Sequence, residues 1–290
     1  MALGSSQQTT TTGAVFIPEV WSPEVLRAAE NALVMAPLVK RFDSLVTGKG
    51  DTIHIPNLSN LSASDKSANT QVSLQSPTES DTSISINKHK ESSFLVEDLL
   101  KVQSNYDLMG EYTSKAGESI ARQIDTDLLG LYSDFTNTDV GTYGTDITDA
   151  VVLAADEALD LANAPLEDRV FVIYPTQKTA LLRIDKFVKA DYVGQYNSAT
   201  MVRTGPNSRY MWGELYGKPV YYTKQVVATA GTPTQYHNML FHKEALALAL
   251  QQAPRVQSQY IIEYLGNLVV VDVIYGVKTI RADFGIEIRS

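Results

Sequence analysis

Asp51-Thr52-Ile53-His54-Ile55-Pro56 and Asp81-Thr82-Ser83-Ile84-Ser85-Ile86-Asn87 are the stretches from which the fold is first read. In both, isoleucine alternates with polar residues, the period of a strand that buries one face. Residues 57–80 between them are mostly Ser, Thr, Asn and Gln, with Leu58, Leu61, Val72 and Leu74 as sparse apolar positions. Two strands joined by so long a polar excursion describe an extended hairpin. Its composition cannot form a core of its own, and connections of this length are uncommon unless they are functional. The regular alternation favours a hairpin ordered against another subunit over one that stays mobile.

Upstream, Met1 to Gly13 is polar and threonine-rich and reads as an arm. Ser22-Pro23-Glu24 then carries helix-start signals, with Val25, Leu26, Ala29 and Leu33 following and Pro37 as the limit. Downstream, Ser104 to Asp107 resembles a helix cap. The residues Leu108, Tyr112, Ala116, Ile120, Ile124, Leu128 and Leu131 form a stripe at three- and four-residue spacing. A long helix of about seven turns is expected over 105–135, ended by the polar stretch Asp134 to Thr145.

The next region alternates helix and strand. Helices are expected at Asp146–Ala164, Pro175–Ile184 and Lys243–Gln252. Strands are expected at Val170–Tyr174, Val220–Val227 and Met239–His242, with an irregular loop at Lys186–Ser208. Tyr260–Glu263, Leu268–Tyr275 and Gly276–Ile288 read as closing strands with tight turns at Gly266 and Gly276.

The 290 residues suffice for one or two domains with a proper core, and 44% hydrophobic content is ordinary for a globular chain. A net charge of −9 argues against a dedicated nucleic-acid binder, which needs a concentrated basic surface. Lys88, Lys90, Lys101, Arg122, Arg183, Lys186, Lys189, Arg203 and Arg209 are scattered and read as solvated positions. No signal peptide is legible in the polar first residues, and the apolar run Leu268–Tyr275 is too short to span a bilayer.

Residues that usually carry chemistry are scarce. The absence of cysteine removes disulfides, thiolate metal sites and thiol nucleophiles. Of the four histidines, His237 and His242 stand five apart with no third ligand nearby, so a structural role is expected for both. His54 in its strand and His89 in a Lys-His-Lys run are expected to be exposed or interfacial. Asp134 to Asp146 lacks the oxygen spacing and closing glutamate of a calcium loop. Gly48-Lys49-Gly50-Asp51 is too short for a phosphate loop and leads into a strand. Pro175-Thr176-Gln177-Lys178 after its strand offers no glycine-rich phosphate turn. No catalytic, cofactor-binding or metal-binding residue is therefore assigned, and no cofactor is expected.

The order of parts is more informative than any single residue: polar arm, extended hairpin, long helix, compact α/β region, closing long strands. Three local sequences reinforce it. They are Val172-Ile173-Tyr174-Pro175 followed by Thr179-Ala180-Leu181-Leu182-Arg183, then Leu215-Tyr216-Gly217-Lys218-Pro219-Val220, and Tyr275-Gly276-Val277-Lys278-Thr279-Ile280-Arg281. Over nearly the whole chain this resembles the major capsid proteins of tailed bacteriophages, of the Hong Kong 97-like fold. The resemblance implies an α+β fold in four regions. Residues 1–47 correspond to an N-terminal arm with a short helix, and 48–102 to the extended loop reaching over a neighbouring subunit. Residues 103–145 and 258–290 correspond to a peripheral domain with its spine helix and long strands, and 146–257 to an α/β axial domain.

It further implies a structural subunit without catalysis, self-assembling as pentamers and hexamers into the icosahedral head around double-stranded DNA, with no sequence-specific grip on that DNA and no membrane. The place implied is the virion, reached by assembly in the host cytoplasm. Only a short arm precedes the first helix, so scaffolding is expected from a separate protein, with a portal and a decoration protein as further partners. Lys66 and Asn69 near the hairpin tip identify no crosslink. The alternative from a different class is a non-capsid binding or adhesion protein that uses the polar hairpin as its recognition loop.

Overall fold

The computed structural model describes residues 34–46, 50–58, 61–72, 74–77, 79–98, 108–184 and 211–290. The expected arm, the helix start at Ser22, the cap at Ser104–Asp107 and the loop at Lys186–Ser208 lie outside these residues, as do Lys101, Lys186, Lys189, Arg203 and Arg209.

The expected hairpin is present. Strand β2 (Thr52–Leu58) pairs antiparallel with β3 (Glu79–Ser85), with Ile53 opposite Ile84 and Ile55 opposite Thr82. Ile53 and Ile84 are buried, while Thr52 and His54 face away.

A four-stranded sheet holds the long strands, in the order β1 (Lys40–Arg41), β11 (Leu246–Ile261), β12 (Gly266–Thr279), β4 (Lys88–Glu97). At about 3.4 Å per residue, the 16 residues of β11 reach about 50 Å. Helix α1 (Leu108–Leu129, 22 residues) lies across this sheet and tightens into a 3-10 turn at Gly130–Asp134. Ala116, Ile120, Ile124 and Leu128 of the expected stripe are buried. Tyr112 is half out of the core but packs its ring on Phe94 of β4, 5.6 Å between centroids.

The α/β region is built on a seven-stranded sheet of order β5 (Val140–Gly141), β13 (Gly285–Arg289), β10 (Gln235–His242), β6 (Arg169–Ile173), β8 (Lys218–Tyr222), β7 (Met211–Leu215), with β9 (Ala228–Thr229) also on β10. Helix α2 (Asp149–Leu161) buries Val152, Ala155 and Leu159 against β13 and β10, and α3 (Pro175–Leu181) starts with proline directly after β6. The closing strand β13 pairs with β10, so residues 285–289 join this sheet and not the long strands. One apolar cluster runs through both sheets, from Ile120 and Val273 to Phe171 and Ile286.

Three expectations are corrected. The strand expected over Gly276–Ile288 is broken: β12 ends at Thr279, a 3-10 turn covers Ala282–Phe284, and β13 starts at Gly285 in the other sheet. The helix expected at Lys243–Gln252 is a turn followed by the start of β11. Alanine and leucine favour helix, but in Leu246-Ala247-Leu248-Ala249-Leu250 they alternate with period two. The leucines join the main core and Ala247 and Ala249 enter a second, smaller one, so strand pairing prevails over local propensity. The turn expected at Gly276 does not form either: β12 runs straight through it. A Cβ at Gly276 would fall well inside contact distance of the Ser85 carbonyl oxygen, so glycine there admits the backbone of β3. The reversal near Gly266 is present, as a 3-10 turn at Ile262–Tyr264 with Leu265 in the left-handed region (φ 44°).

Candidate assembly surface

The hairpin is moored at its base. Ile53 and Ile84 share the second core with Val46, Ala247 and Ala249, flanked by Phe42, Ile55, Ile86 and Ile280. Small residues on β11 let the isoleucines close down on the sheet. Polar bonds fix the same junction: Ile86 N–H donates to Asp51 O at 2.7 Å, Gln251 Nε2 to Gly50 O at 2.7 Å, and Leu250 N–H to Asp43 Oδ1 at 2.9 Å. An open groove of about 540 Å³ lies between the hairpin base and the end of α1, with Ser83, Ser85, Lys88, Asp134 and Lys278 among its lining.

Further out, His54 meets Asp81 across the two strands, both exposed. Among the described residues, short-range polar bonds hold the tip. Gln75 and Ser62 exchange side-chain and backbone bonds across it, and Thr70 Oγ1 donates to Ser67 O at 2.9 Å beside Asn69 (φ 62°). Leu61, Val72 and Leu74 stand in solvent, Leu74 at 92% exposure.

Two other extremities carry exposed apolar residues. The β11–β12 turn presents Ile262 (77% exposed), Tyr264 and Leu265, and the end of α2 and the loop after it present Leu161 (76%) and Leu166. Clustered exposed apolar surface marks interaction sites more often than lone residues do.

The buried ionisable groups act as staples within the subunit. His237, expected to be structural, is buried between Thr229 Oγ1 (3.0 Å to Nε2) and Glu287 Oε1 (2.6 Å to Nδ1), with Tyr132 stacked on it at 4.2 Å. Tyr143 donates to Glu287 at 2.9 Å, and burial together with that carboxylate pushes its hydroxyl pKa up. His242 is buried near Phe284, and burial pulls its pKa down. His89 is largely exposed and reaches Asp272 of β12 at 3.2 Å.

Arg169 is fully buried under α2. Its guanidinium meets Asp156 and Asp160, each at 2.7 Å, and donates to the carbonyls of Pro165 and Ala164, while Lys218 takes the other oxygen of Asp156 at 2.7 Å. Asp127 binds α1 to the long sheet through Tyr275 Oη (2.7 Å) and Lys88 Nζ (2.9 Å). Among the described residues, no three His, Asp or Glu side chains are grouped to hold a metal ion, and no helix is long and apolar enough to cross a membrane. The polar networks hold strands and helices together.

A family model described as phage capsid protein matches residues 80–286. The chain belongs to that family. This phage capsid protein is a structural, self-assembling component of the virion and not an enzyme, which sets aside the adhesion alternative.

Its fold is shared with solved phage structures. One, from Mycobacterium phage Che8, matches with a TM-score of 0.77 and 24% identity over 94% of this chain and 97% of that one. The capsid structure of the cyanophage P-SCSP1u gives 0.72 and 19% over 99% and 96%, and the capsid of Ralstonia phage GP4 gives 0.70 and 14% over 98% of each. At such identities the likeness establishes the α+β architecture of the Hong Kong 97-like capsids. No curated protein matches by sequence.

Strand β4 was not assigned from sequence. Lys88-His89-Lys90-Glu91 hides it, and the burial alternation along the strand is its only signal. The Arg169 network and the alanine face of β11 were also unassigned.

Proposed function

We propose that this capsid protein assembles as pentamers and hexamers into an icosahedral head enclosing double-stranded DNA, with the β2–β3 hairpin as the extended loop that lies over a neighbouring subunit. In this reading 1–47 is the arm and 48–102 holds the extended loop. Helix α1 is the spine of a peripheral domain (103–145 and 258–290) with the long strands, and 146–257 is the axial domain around the five- and six-fold axes. Sheet pairing favours counting β4 with the peripheral strands and β13 with the axial sheet. A separate scaffolding protein, a portal and a decoration protein complete the partners.

The carrying observation is the hairpin's division into a moored base and a tip whose Leu61, Val72 and Leu74 are exposed. Ordering a tip of this kind costs conformational entropy that its own contacts do not offset. A neighbour's surface offsets it, and many weak contacts per subunit add to avidity in a closed lattice. The net charge of −9 suits a shell that surrounds DNA without gripping it.

Shortening residues 58–78 to a tight turn tests this. The subunit should keep its melting temperature, because the main core excludes the hairpin, and should lose particle formation. Normal particles from the shortened chain would contradict the proposal.

A further inference from the structure

Among the described residues the chain passes three times between the long sheet and the seven-stranded sheet. Residues 130–139 carry it from α1 to β5, residues 243–245 from β10 to β11, and residues 280–284 from β12 to β13. The three crossings are bonded to one another, with the third in the middle. Ile280 N–H and Arg281 N–H donate to Ala245 O at 2.8 and 3.3 Å, and Thr136 N–H donates to Ala282 O at 3.1 Å. Thr279 Oγ1 donates to Asp134 Oδ2 at 3.0 Å. The Phe284 ring is covered by the Arg281 guanidinium at 4.1 Å and met edge-on by His242 at 5.8 Å.

Asn137 spans this elbow with one side chain. Its Nδ2 donates to Asp283 O at 2.7 Å and to Gly285 O at 2.8 Å, the carbonyls at the entry to β13. Two residues earlier, the Phe135 ring lies against Gly285 and leaves no room there for a Cβ. An amide bonded to two carbonyls and a ring seated on bare backbone hold residues 135–137 in one orientation against residues 283–285. The apolar cluster through both sheets also joins the two halves, but burial is non-directional. Directional bonds set an angle, and they gather at the crossings. Thr126 Oγ1 of α1, which donates to Gln225 Oε1 at 3.2 Å, is a further such tie.

We propose that Asn137 is the positioning residue that fixes the angle between the two sheets, and through it the curvature and size of the shell. The second half of this statement rests on the reading of the chain as an icosahedral head subunit. The lever is long. With β11 reaching about 50 Å at about 3.4 Å per residue, a change of about 5° at the elbow carries its far end by about 4 Å. Polar contacts between neighbours hold only over a few tenths of an ångström, so a displaced arm meets its neighbour differently. The rotation between neighbouring copies decides whether and where a repeated contact closes.

The chain has no cysteine, so two introduced cysteines carry spin labels at chosen positions alone. Gln257→Cys on the far half of β11 and Glu214→Cys on β7 are both exposed positions. The distance between their labels in the full-length subunit, read by double electron–electron resonance, reports the angle. With Asn137 present it should be single and narrow. Asn137→Ala should broaden or shift it by about 4 Å. Thr279→Val, which removes the bond to Asp134 and keeps the volume, should change it less. On assembly, the native chain should close into particles of one diameter and Asn137→Ala into particles of several. Val152→Ala, a truncation on the buried face of α2, should lower the melting temperature and leave distance and diameter as they are. An unaltered distance in both elbow variants would overturn the elbow, and Thr279→Val decides this alone if Asn137→Ala does not fold. An altered distance with the native diameter would overturn its role in curvature. A native chain that closes no particles counts against the head reading, and the label distances still decide the elbow.

Discussion

Replacing Ile84 with alanine should loosen the hairpin without unfolding the subunit. Ile84 is fully buried, stands opposite Ile53, and belongs to the small core that also contains Val46, Ala247 and Ala249. The substitution removes three carbons, worth about 2.4 kcal/mol at ~0.8 kcal/mol per buried methylene. A cavity left unfilled would bring the cost towards the upper part of the 2–5 kcal/mol range for such truncations. Since the main core, from Ile120 to Ile288, is a separate cluster, the loss should fall on local opening of the hairpin. At about 1.4 kcal/mol per tenfold, protection of the β2 and β3 amides should drop roughly fiftyfold. The amides of β10 and β12 should keep their protection, and particle yield should fall. Hydrogen exchange resolved along the chain measures both. An equal loss across β10 and β12, or none in β2 and β3, would refute the idea of an independently moored hairpin.

Two further outcomes follow from the buried charges. Arg169→Met leaves Asp156 to Lys218 alone, frees Asp160 to solvent and leaves two carbonyls without their donor, so it should destabilise the subunit by about 3 kcal/mol, and an unchanged urea midpoint would contradict this. Arg255, with His89 and Gln252, holds the Asp272 carboxyl down to about 2. Because that value is lowered by folding, its stabilisation is present above pH 3.8 and lost as pH falls towards 2. Asp272→Asn should flatten the acid limb of urea midpoints between pH 4 and 2, and an unaltered limb would contradict the assignment.

Local period was enough to read some elements. The alternation around Ile53 and Ile84 and the stripe from Ala116 to Leu128 each report which face is buried, and both faces are buried as read. Where a neighbour across space sets the conformation, the sequence misleads. Leu246–Leu250 has helix-forming composition, yet β12 and β1 pair with it as a strand. Gly276 looks like a turn, but it is a point of close backbone passage.

Charge hid β4, whose Lys88 is needed by Asp127 on a distant helix. Asn137 gave no local sign at all, since its acceptors lie 146 and 148 residues later in the chain. The outward-facing apolar residues were legible only as a composition in the hairpin. At Ile262 and Leu161 they sat within ordinary-looking segments, and exposure was visible only once the chain was folded.

The central claim, that this chain is a shell subunit whose reach is spent on its own copies, is tested most directly by negative-stain electron microscopy of the purified protein, alone and with the scaffolding protein proposed for it. Closed particles of uniform size, or rings of five and six subunits that close when scaffold is supplied, are the predicted result. A protein that remains monomeric under every condition and is missing from purified virions would contradict the account.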